Sequence, residues 1–67
     1  MEAKKLKELK KGDYFTLKPV EYAQDNEVWV RGEYDRSSRK YSIYKFSDTN
    51  HESFKSGNTK VYTDFIF

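Results

Sequence analysis

The segment from Ser47 to Ser53 holds the side-chain types that hydrolytic enzymes combine, because Ser47, Asp48, His51 and Ser53 all lie in it. In such enzymes a histidine removes the proton of a serine hydroxyl, which then attacks a carbonyl carbon, and a carboxylate orients the histidine. The reaction also needs an oxyanion site and a base that tertiary contacts hold in place, and closeness in sequence supplies neither. We therefore predict no catalytic residue and no enzymatic activity.

Metal and phosphate chemistry have even less support in the sequence. His51 is the only histidine and the chain has no cysteine, so the nitrogen and sulfur ligands of a zinc site are missing. The glycines, Gly12, Gly32 and Gly57, are too far apart to form the glycine-rich loop that holds a phosphate. We predict no metal site and no cofactor.

Aromatic and cationic side chains alternate in the middle of the chain, where a β-hairpin would place several of them on one face. Single-stranded nucleic acids bind such surfaces because bases stack on the rings, for about 1–3 kcal/mol per base, and phosphates attract the cations. Glu33 shares the predicted face and reduces its positive charge. The residues predicted to bind nucleic acid are Trp29, Arg31, Arg39, Lys40 and Tyr44.

Two other interpretations of this face stay open. In one, Trp29 and Phe46 form a second small core under the N-terminal segment or under Phe54. In the other, the face contacts a protein partner or a second copy of the chain, since tryptophan, tyrosine and arginine are favoured anchors of protein interfaces. An uncovered strand edge is a further route to self-association. The alternative function is therefore a protein-interaction or self-associating accessory module without nucleic-acid contact.

The hairpin that positions these residues extends from Glu27 to Phe46, where β-branched and aromatic residues alternate with polar ones. Its turn is predicted from Asp35 to Arg39, because the Asp35 carboxylate can accept hydrogen bonds from the backbone ahead of it and two serines follow. With an even loop, the predicted cross-strand pairs are Tyr34 with Tyr41, Gly32 with Ile43 and Asp35 with Lys40.

This register divides the hairpin into a core face and an outer face. Trp29, Arg31 and Tyr44 lie on the outer face. Gly32 is unfavourable within a strand unless it allows a bulge, a bend or the close approach of a large neighbour. The predicted core face carries Val28, Val30, Gly32, Tyr34, Tyr41 and Ile43.

The segments before the hairpin are predicted to cover it. Leu6 and Leu9 suit one or two helical turns within residues 1–11, with Gly12 at the end of the helix. A first strand is predicted from Tyr14 to Leu17, with Phe15 and Leu17 pointing inward.

The segments after the hairpin are predicted to form a short helix and a last strand. Thr49 and Glu52 have the spacing of a capping box, which satisfies free backbone donors at a helix start. The sequence therefore predicts a helix from about Asn50 to Ser56. The last strand is predicted from Lys60 to Phe67.

Length and composition limit the size of the core and the compartment. The chain has 67 residues, which suits one domain, and its six tyrosines, five phenylalanines and one tryptophan supply the apolar area that a small core needs. The net charge of +2 is not by itself typical of nucleic-acid-binding proteins. The lack of cysteine, of a leader peptide and of a membrane-spanning apolar run predicts a cytoplasmic protein without membrane contact.

Several short motifs carry a resemblance to known proteins. They are Leu6-x-x-Leu9-x-x-Gly12-Asp13, the run Val28-Trp29-Val30-Arg31-Gly32-x-Tyr34-Asp35-Arg36-Ser37-Ser38-x-Lys40-Tyr41, then Phe54 and the closing Lys60-Val61-Tyr62. Together they resemble a group of small uncharacterised proteins of gut bacteria, known mainly from structural genomics. The resemblance implies a compact β-rich domain and no particular activity. The opening motif is also similar to the entry into SH3-like barrels.

The sequence thus predicts a single mainly β domain over residues 1–67. Its architecture is a small bent antiparallel sheet or an incomplete SH3-like barrel of four to five strands, with a short helix before the last strand. The first functional prediction is a non-catalytic module that binds nucleic acid, and the alternative is a protein-interaction module or homodimer. Such folds host many functions, so the choice depends on the site itself.

Overall fold

The computed structural model of the protein describes residues 3–67 and is mainly β, which confirms the predicted fold class. Two short 3₁₀ turns, Leu6–Glu8 and Asp25–Glu27, are the helical elements of these residues. The six strands are β1 Ala3–Lys5, β2 Tyr14–Phe15, β3 Trp29–Asp35, β4 Lys40–Lys45, β5 Glu52–Ser56 and β6 Lys60–Tyr62.

The strands form two antiparallel sheets that do not close into a barrel. The larger sheet has the order β2-β3-β4-β5, so β2 and β5 are its edges. Strands β1 and β6 pair with each other, and an isolated bridge between Thr16 and Tyr62 connects this pair to the end of β2. The central hairpin β3–β4 is thus the middle of the larger sheet, as the sequence predicts.

The register of the hairpin agrees with the prediction near the turn and departs from it further along. Asp35 pairs with Lys40 and Tyr34 with Tyr41, as expected. A β-bulge then places Gly32 and Glu33 against a single residue of β4, and Arg31 rather than Gly32 pairs with Ile43. The glycine is therefore used for a bulge, one of its three predicted roles.

The bulge reverses the predicted faces of the first half of β3, since a shift of one residue turns every side chain to the other side. Trp29 packs against the main core, and Val30 lies opposite Tyr44 on the other face. Tyr41 and Ile43 lie on the core side, as predicted, and Val28 and Val30 are buried, as predicted, although on the opposite side of the sheet. Tyr34 is 44 % exposed, so its predicted place in the core is wrong. The main core cluster consists of Leu6, Leu9, Phe15, Ile43 and Val61, with Leu17, Trp29 and Tyr41 packed against it.

The predicted helix from Asn50 to Ser56 is wrong, because this segment contains the edge strand β5. The carboxylate that accepts a bond in the preceding turn belongs to Asp48, whose Oδ1 accepts from the Asn50 N–H at 3.1 Å. Exposed and half-buried residues alternate along β5, the period of a strand and not of a helix.

The terminal segments are also more extended than predicted. Residues 3–5 form β1, so the helical conformation near the N-terminus is limited to Leu6–Glu8; Met1 and Glu2 lie outside the described residues. Leu6 and Leu9 are buried in the core, as predicted. The last strand ends at Tyr62 instead of Phe67, and Ile66 forms only an isolated bridge further on.

Candidate functional site

The bulge separates the five residues that the sequence predicts to share a nucleic-acid-binding face. Trp29 and Arg31 lie on the core side of the sheet, while Tyr44 and Lys40 lie on the opposite side. Arg39 is in the turn, with a left-handed backbone (φ 57°). Arg31, Arg39 and Lys40 remain near the turn, whereas Trp29 and Tyr44 lie toward the far end of the hairpin.

Trp29 is half-buried at the far end of the sheet, where it forms a wall of a small cleft. The cleft has a volume of about 230 Å³ and is also lined by Glu27 and Lys45. The Lys45 ammonium lies 5.6 Å from the centre of the indole, and the His51 ring meets it edge-on at 5.7 Å. Trp29 is thus occupied by neighbours in this protein.

Tyr44 lies beside an aromatic cluster on the other side of the sheet. The ring of Tyr14 is 5.4 Å from that of Phe46 and 6.0 Å from that of Phe67, and Phe46 is 4.9 Å from Phe67. Tyr14, Phe46 and Phe67 are each exposed. With Val30, Tyr44 lines a shallow depression beneath this cluster.

Two tyrosines and one arginine contact one another on the core side of the sheet near the turn, and we call this group the stack. The guanidinium carbon of Arg31 lies 4.3 Å from the centre of the Tyr41 ring, and the ring of Tyr34 lies 4.8 Å from that of Tyr41, tilted by 53°. Arg31 is held by a bond from its Nη1 to the Gly32 carbonyl at 2.7 Å. Tyr34 is 44 % exposed, so the stack is open to solvent at that end.

Further cations surround this stack. Lys55 pairs with Tyr41 across β4 and β5. A Cβ added to Gly57 would lie 3.0 Å from the Tyr41 ring and 3.1 Å from the Lys7 Cβ, which places Lys7 at the same end. We call this region the hairpin end, and its members are Lys7, Arg31, Tyr34, Arg36, Arg39, Lys40, Tyr41 and Lys55.

The carboxylates near the hairpin end are already engaged. Asp35 accepts bonds from the Ser37 N–H at 3.0 Å and the Ser38 hydroxyl at 3.1 Å. Glu33 forms an ion pair with Lys11, and the hydrogen bond and charge of Lys11 hold the pKa of Glu33 below its usual value. In turn, the Glu33 carboxylate raises the pKa of Lys11. Asp35 keeps its negative charge and pairs with Lys40 across the hairpin, so the cations of the hairpin end outnumber the carboxylates there but are partly offset by them.

Acidic residues collect at the opposite end of the molecule. Strand β4 runs away from the turn toward Asp48, and the acidic turn Asp25–Glu27 is separated only by Val28 from Trp29, the first residue of β3. The backbone of Ile66 bonds to that of Glu21, which brings Glu21 close to the C-terminal segment at this end. The modest net charge of +2 thus hides a separation of charge along the hairpin.

The sequence places Tyr34 and Tyr41 in the core, and so it misses the aromatic part of the hairpin end. The signal that identifies them is Gly32: a bulge there keeps the two tyrosines paired near the turn while it moves Arg31 onto their side. A sequence pattern does not distinguish this role of a glycine from a bend or a close approach.

The triad-type residues of the Ser47–Ser53 segment have other roles. Asp48 stabilises the turn before β5, His51 contacts Trp29, and Ser53 pairs with Ile43. Within residues 3–67, no group of three or more histidine, cysteine, aspartate or glutamate side chains is placed to hold a metal ion. Over the same residues, no helix has the length and apolar character that crossing a membrane requires.

Comparisons with known proteins identify no relative. No family model matches the chain, no curated protein matches it, and no solved structure matches it. The resemblance to gut-bacterial proteins and to SH3-like barrels therefore stays a prediction, and the function is argued from the residues themselves.

Proposed function

We propose that this protein is a non-catalytic module that binds single-stranded nucleic acid through the hairpin end. The observation that carries the proposal is the stack of Tyr34, Tyr41 and Arg31, which is open at Tyr34 and has further cations beside it in β5 and in the adjoining turn. Three of the five residues predicted from the sequence, Arg31, Arg39 and Lys40, belong to this region. Tyr34 and Tyr41 take the roles that the sequence gives to Trp29 and Tyr44.

The tyrosine stack suits a base because Tyr41 is already held by its neighbours before a ligand arrives. Tyr41 is half-buried and contacts both Arg31 and Tyr34, and Tyr34 is 44 % exposed. A base that stacks on Tyr34 orders little of the protein, so most of the stacking energy is retained. Stacking of this kind contributes about 1–3 kcal/mol per base and favours no particular sequence.

The cations supply the second part of the binding energy. The side chains of Arg36, Arg39 and Lys40 are exposed around the turn, and Lys55 is half-buried beside Tyr41. Each phosphate that contacts a cation releases counterions, which makes binding depend on salt. With about three such contacts, the logarithm of the association constant falls with the logarithm of the salt concentration with a slope of about −2.

The test is an amide chemical-shift titration with short single-stranded DNA and RNA of mixed sequence, at low and at moderate salt. Shifts should occur around Tyr34, Tyr41 and the turn and should decrease with salt. Tyr34→Ala should weaken binding by about fivefold or more through loss of stacking. Tyr14→Ala is the matched control, because Tyr14 is similarly exposed (46 % against 44 %) but lies on the other side of the sheet.

The proposal fails if the low-salt titration leaves the hairpin end unchanged. It also fails if Tyr34→Ala and Tyr14→Ala bind equally well, since binding would then be independent of the stack. Nucleic-acid binding at Tyr14 and Phe46 in place of the hairpin end would likewise contradict the proposed site.

That second candidate is a protein-interaction module that uses the aromatic cluster of Tyr14, Phe46 and Phe67. Its supporting observation is that the three rings contact one another edge to face and yet each is exposed. Aromatic residues of this kind are favoured anchors in protein interfaces, and apolar contacts respond little to salt. The expected ligand is an uncharged apolar segment of a partner protein.

A further inference from the structure

The outer edge of β5 has free backbone groups. Among the described residues no strand pairs with this edge, because β5 is the last strand of the larger sheet. Two bonds show which way the backbone groups of β4 point: the Lys45 N–H donates to the His51 carbonyl at 3.2 Å, on the side of β5, and the Phe46 N–H donates to the Val28 carbonyl at 3.0 Å, on the side of β3. The direction alternates along a strand, so the backbone groups of Ile43 and Tyr41 also point toward β5. Their partners in β5, Ser53 and Lys55, therefore direct their own backbone groups to β4.

Glu52, Phe54 and Ser56 therefore direct their backbone groups outward. Two of these groups are used locally, because the Glu52 N–H donates to Asn50 at 3.1 Å and the Ser56 carbonyl accepts from Thr59 at 3.0 Å. The groups that remain for a partner are the N–H and carbonyl of Phe54, the carbonyl of Glu52 and the N–H of Ser56.

This set is complementary to itself under a two-fold rotation. If β5 pairs in antiparallel orientation with a second β5, centred on Phe54, each Phe54 N–H meets the partner's Phe54 carbonyl. Each Ser56 N–H then meets the partner's Glu52 carbonyl. These four hydrogen bonds satisfy all the remaining outward groups of both strands. The Glu52 N–H and the Ser56 carbonyl, which already form local bonds, are the two outward groups that need no partner in this arrangement.

We propose that the protein forms a symmetric dimer through antiparallel pairing of β5 with β5 of a second copy. We assign this edge to a second copy of the chain because each free backbone donor of one β5 then meets a free backbone acceptor of the other. The two larger sheets then join into one continuous sheet of eight strands, four from each copy. The exposed Phe54 ring, on the side of Ser42, lies opposite the partner's Phe54 ring.

Lys55 limits the strength of this dimer. In the two-fold pairing Lys55 lies opposite the partner's Ser53, and the two Lys55 side chains are diagonal neighbours, about 7–8 Å apart at the backbone, on one side of the sheet. Their repulsion is screened by salt, since the screening length is about 10 Å at 0.1 M ionic strength. Dimerisation should therefore strengthen with salt, whereas the proposed nucleic-acid binding weakens, so the two proposals can fail separately.

Sedimentation measurements over a concentration series test the dimer, with Phe54→Pro and Phe54→Ala as a matched pair. Proline removes the outward N–H of Phe54, and an edge strand tolerates proline where the N–H points to solvent. Alanine removes the ring but keeps the N–H. We expect dimers of the unaltered protein, dimers of Phe54→Ala weakened by about tenfold, and only monomers of Phe54→Pro.

Amide hydrogen exchange keeps the test decisive if Phe54→Pro does not fold. In the unaltered protein, the Phe54 and Ser56 amides should exchange rapidly when dilute and become protected as concentration rises. The Ser53 and Lys55 amides, which bond to β4, should be protected throughout. A protein that stays monomeric at high concentration and high salt overturns the proposal, and so does equal dimerisation of the two variants.

Discussion

Replacing Gly32 with alanine is expected to remove a large part of the stability of this domain. The added Cβ would lie 2.6 Å from the Ser42 hydroxyl oxygen and 3.1 Å from the Ser42 backbone oxygen. The hydroxyl cannot move freely, because it donates to the Glu52 carboxylate at 2.9 Å. The backbone oxygen belongs to β4, in the middle of the sheet, so its movement disturbs strand pairing.

The expected loss follows from these two contacts. Overpacking of a buried site costs about 1–3 kcal/mol, and loss of the Ser42 hydrogen bond adds about 1 kcal/mol. The free energy of unfolding should therefore decrease by about 2–4 kcal/mol. The total for a domain of this length is roughly 3–10 kcal/mol. Urea denaturation followed by the fluorescence of Trp29, which packs on the core, measures the loss.

Two variants test whether the contact with Ser42 is the cause. Adding Ser42→Ala to Gly32→Ala removes the closest atom, so the combined loss should be smaller than the sum of the single losses. Gly12→Ala has open space around its Cβ and a left-handed backbone (φ 93°), so it should cost only about 1–2 kcal/mol of conformational strain. A loss below about 0.5 kcal/mol for Gly32→Ala, or strict additivity with Ser42→Ala, would refute the close packing at the bulge.

Trp29 fluorescence should stay constant when nucleic acid binds, because Trp29 lies at the far end of the sheet; quenching in a fluorescence titration would place the ligand there instead. Leu6→Ala should lower the free energy of unfolding by about 2–5 kcal/mol, because Leu6 is fully buried in the core; urea denaturation measures this, and a loss below about 1 kcal/mol would contradict the burial. Since the folded-state pKa of Glu33 is lowered by Lys11, its stabilising effect is present near neutral pH and is lost as pH falls below about 4. Both groups are fully exposed, so Glu33→Gln should only slightly flatten the acid side of a thermal-stability profile, and a steeper profile would contradict this sign.

The part of the fold that the sequence predicts well is the part that local chemistry determines. The hairpin turn follows from Asp35, whose carboxylate bonds to Ser37 and Ser38, and the nearby pairs follow from the turn. The predicted helix after the hairpin is wrong because only local chemistry supports it, and here the local chemistry is ambiguous. Thr49 and Glu52 have the spacing of a capping box, but the segment is too short for its apolar pattern to separate a helix from an edge strand.

The candidate site is predicted in part because cations near a turn remain near it in any register. Arg39 and Lys40 lie at the hairpin end in every register of the two strands. The aromatic residues are different, because the face of each depends on the register. The Gly32 bulge shifts that register, and the sequence allows the bulge without requiring it, so the positions of Trp29 and Tyr44 could not be fixed.

The separation of charge along the hairpin has a consequence for the rate of association. Strand β4 alone separates the two ends by about 20 Å, so a molecule with cations at the turn and carboxylates at Asp25 and Asp48 has a substantial dipole moment. A polyanion exerts a torque on such a dipole before any contact is made. Under the proposed function, the molecule would then arrive with the turn leading, and a larger share of collisions would become productive than its net charge alone allows.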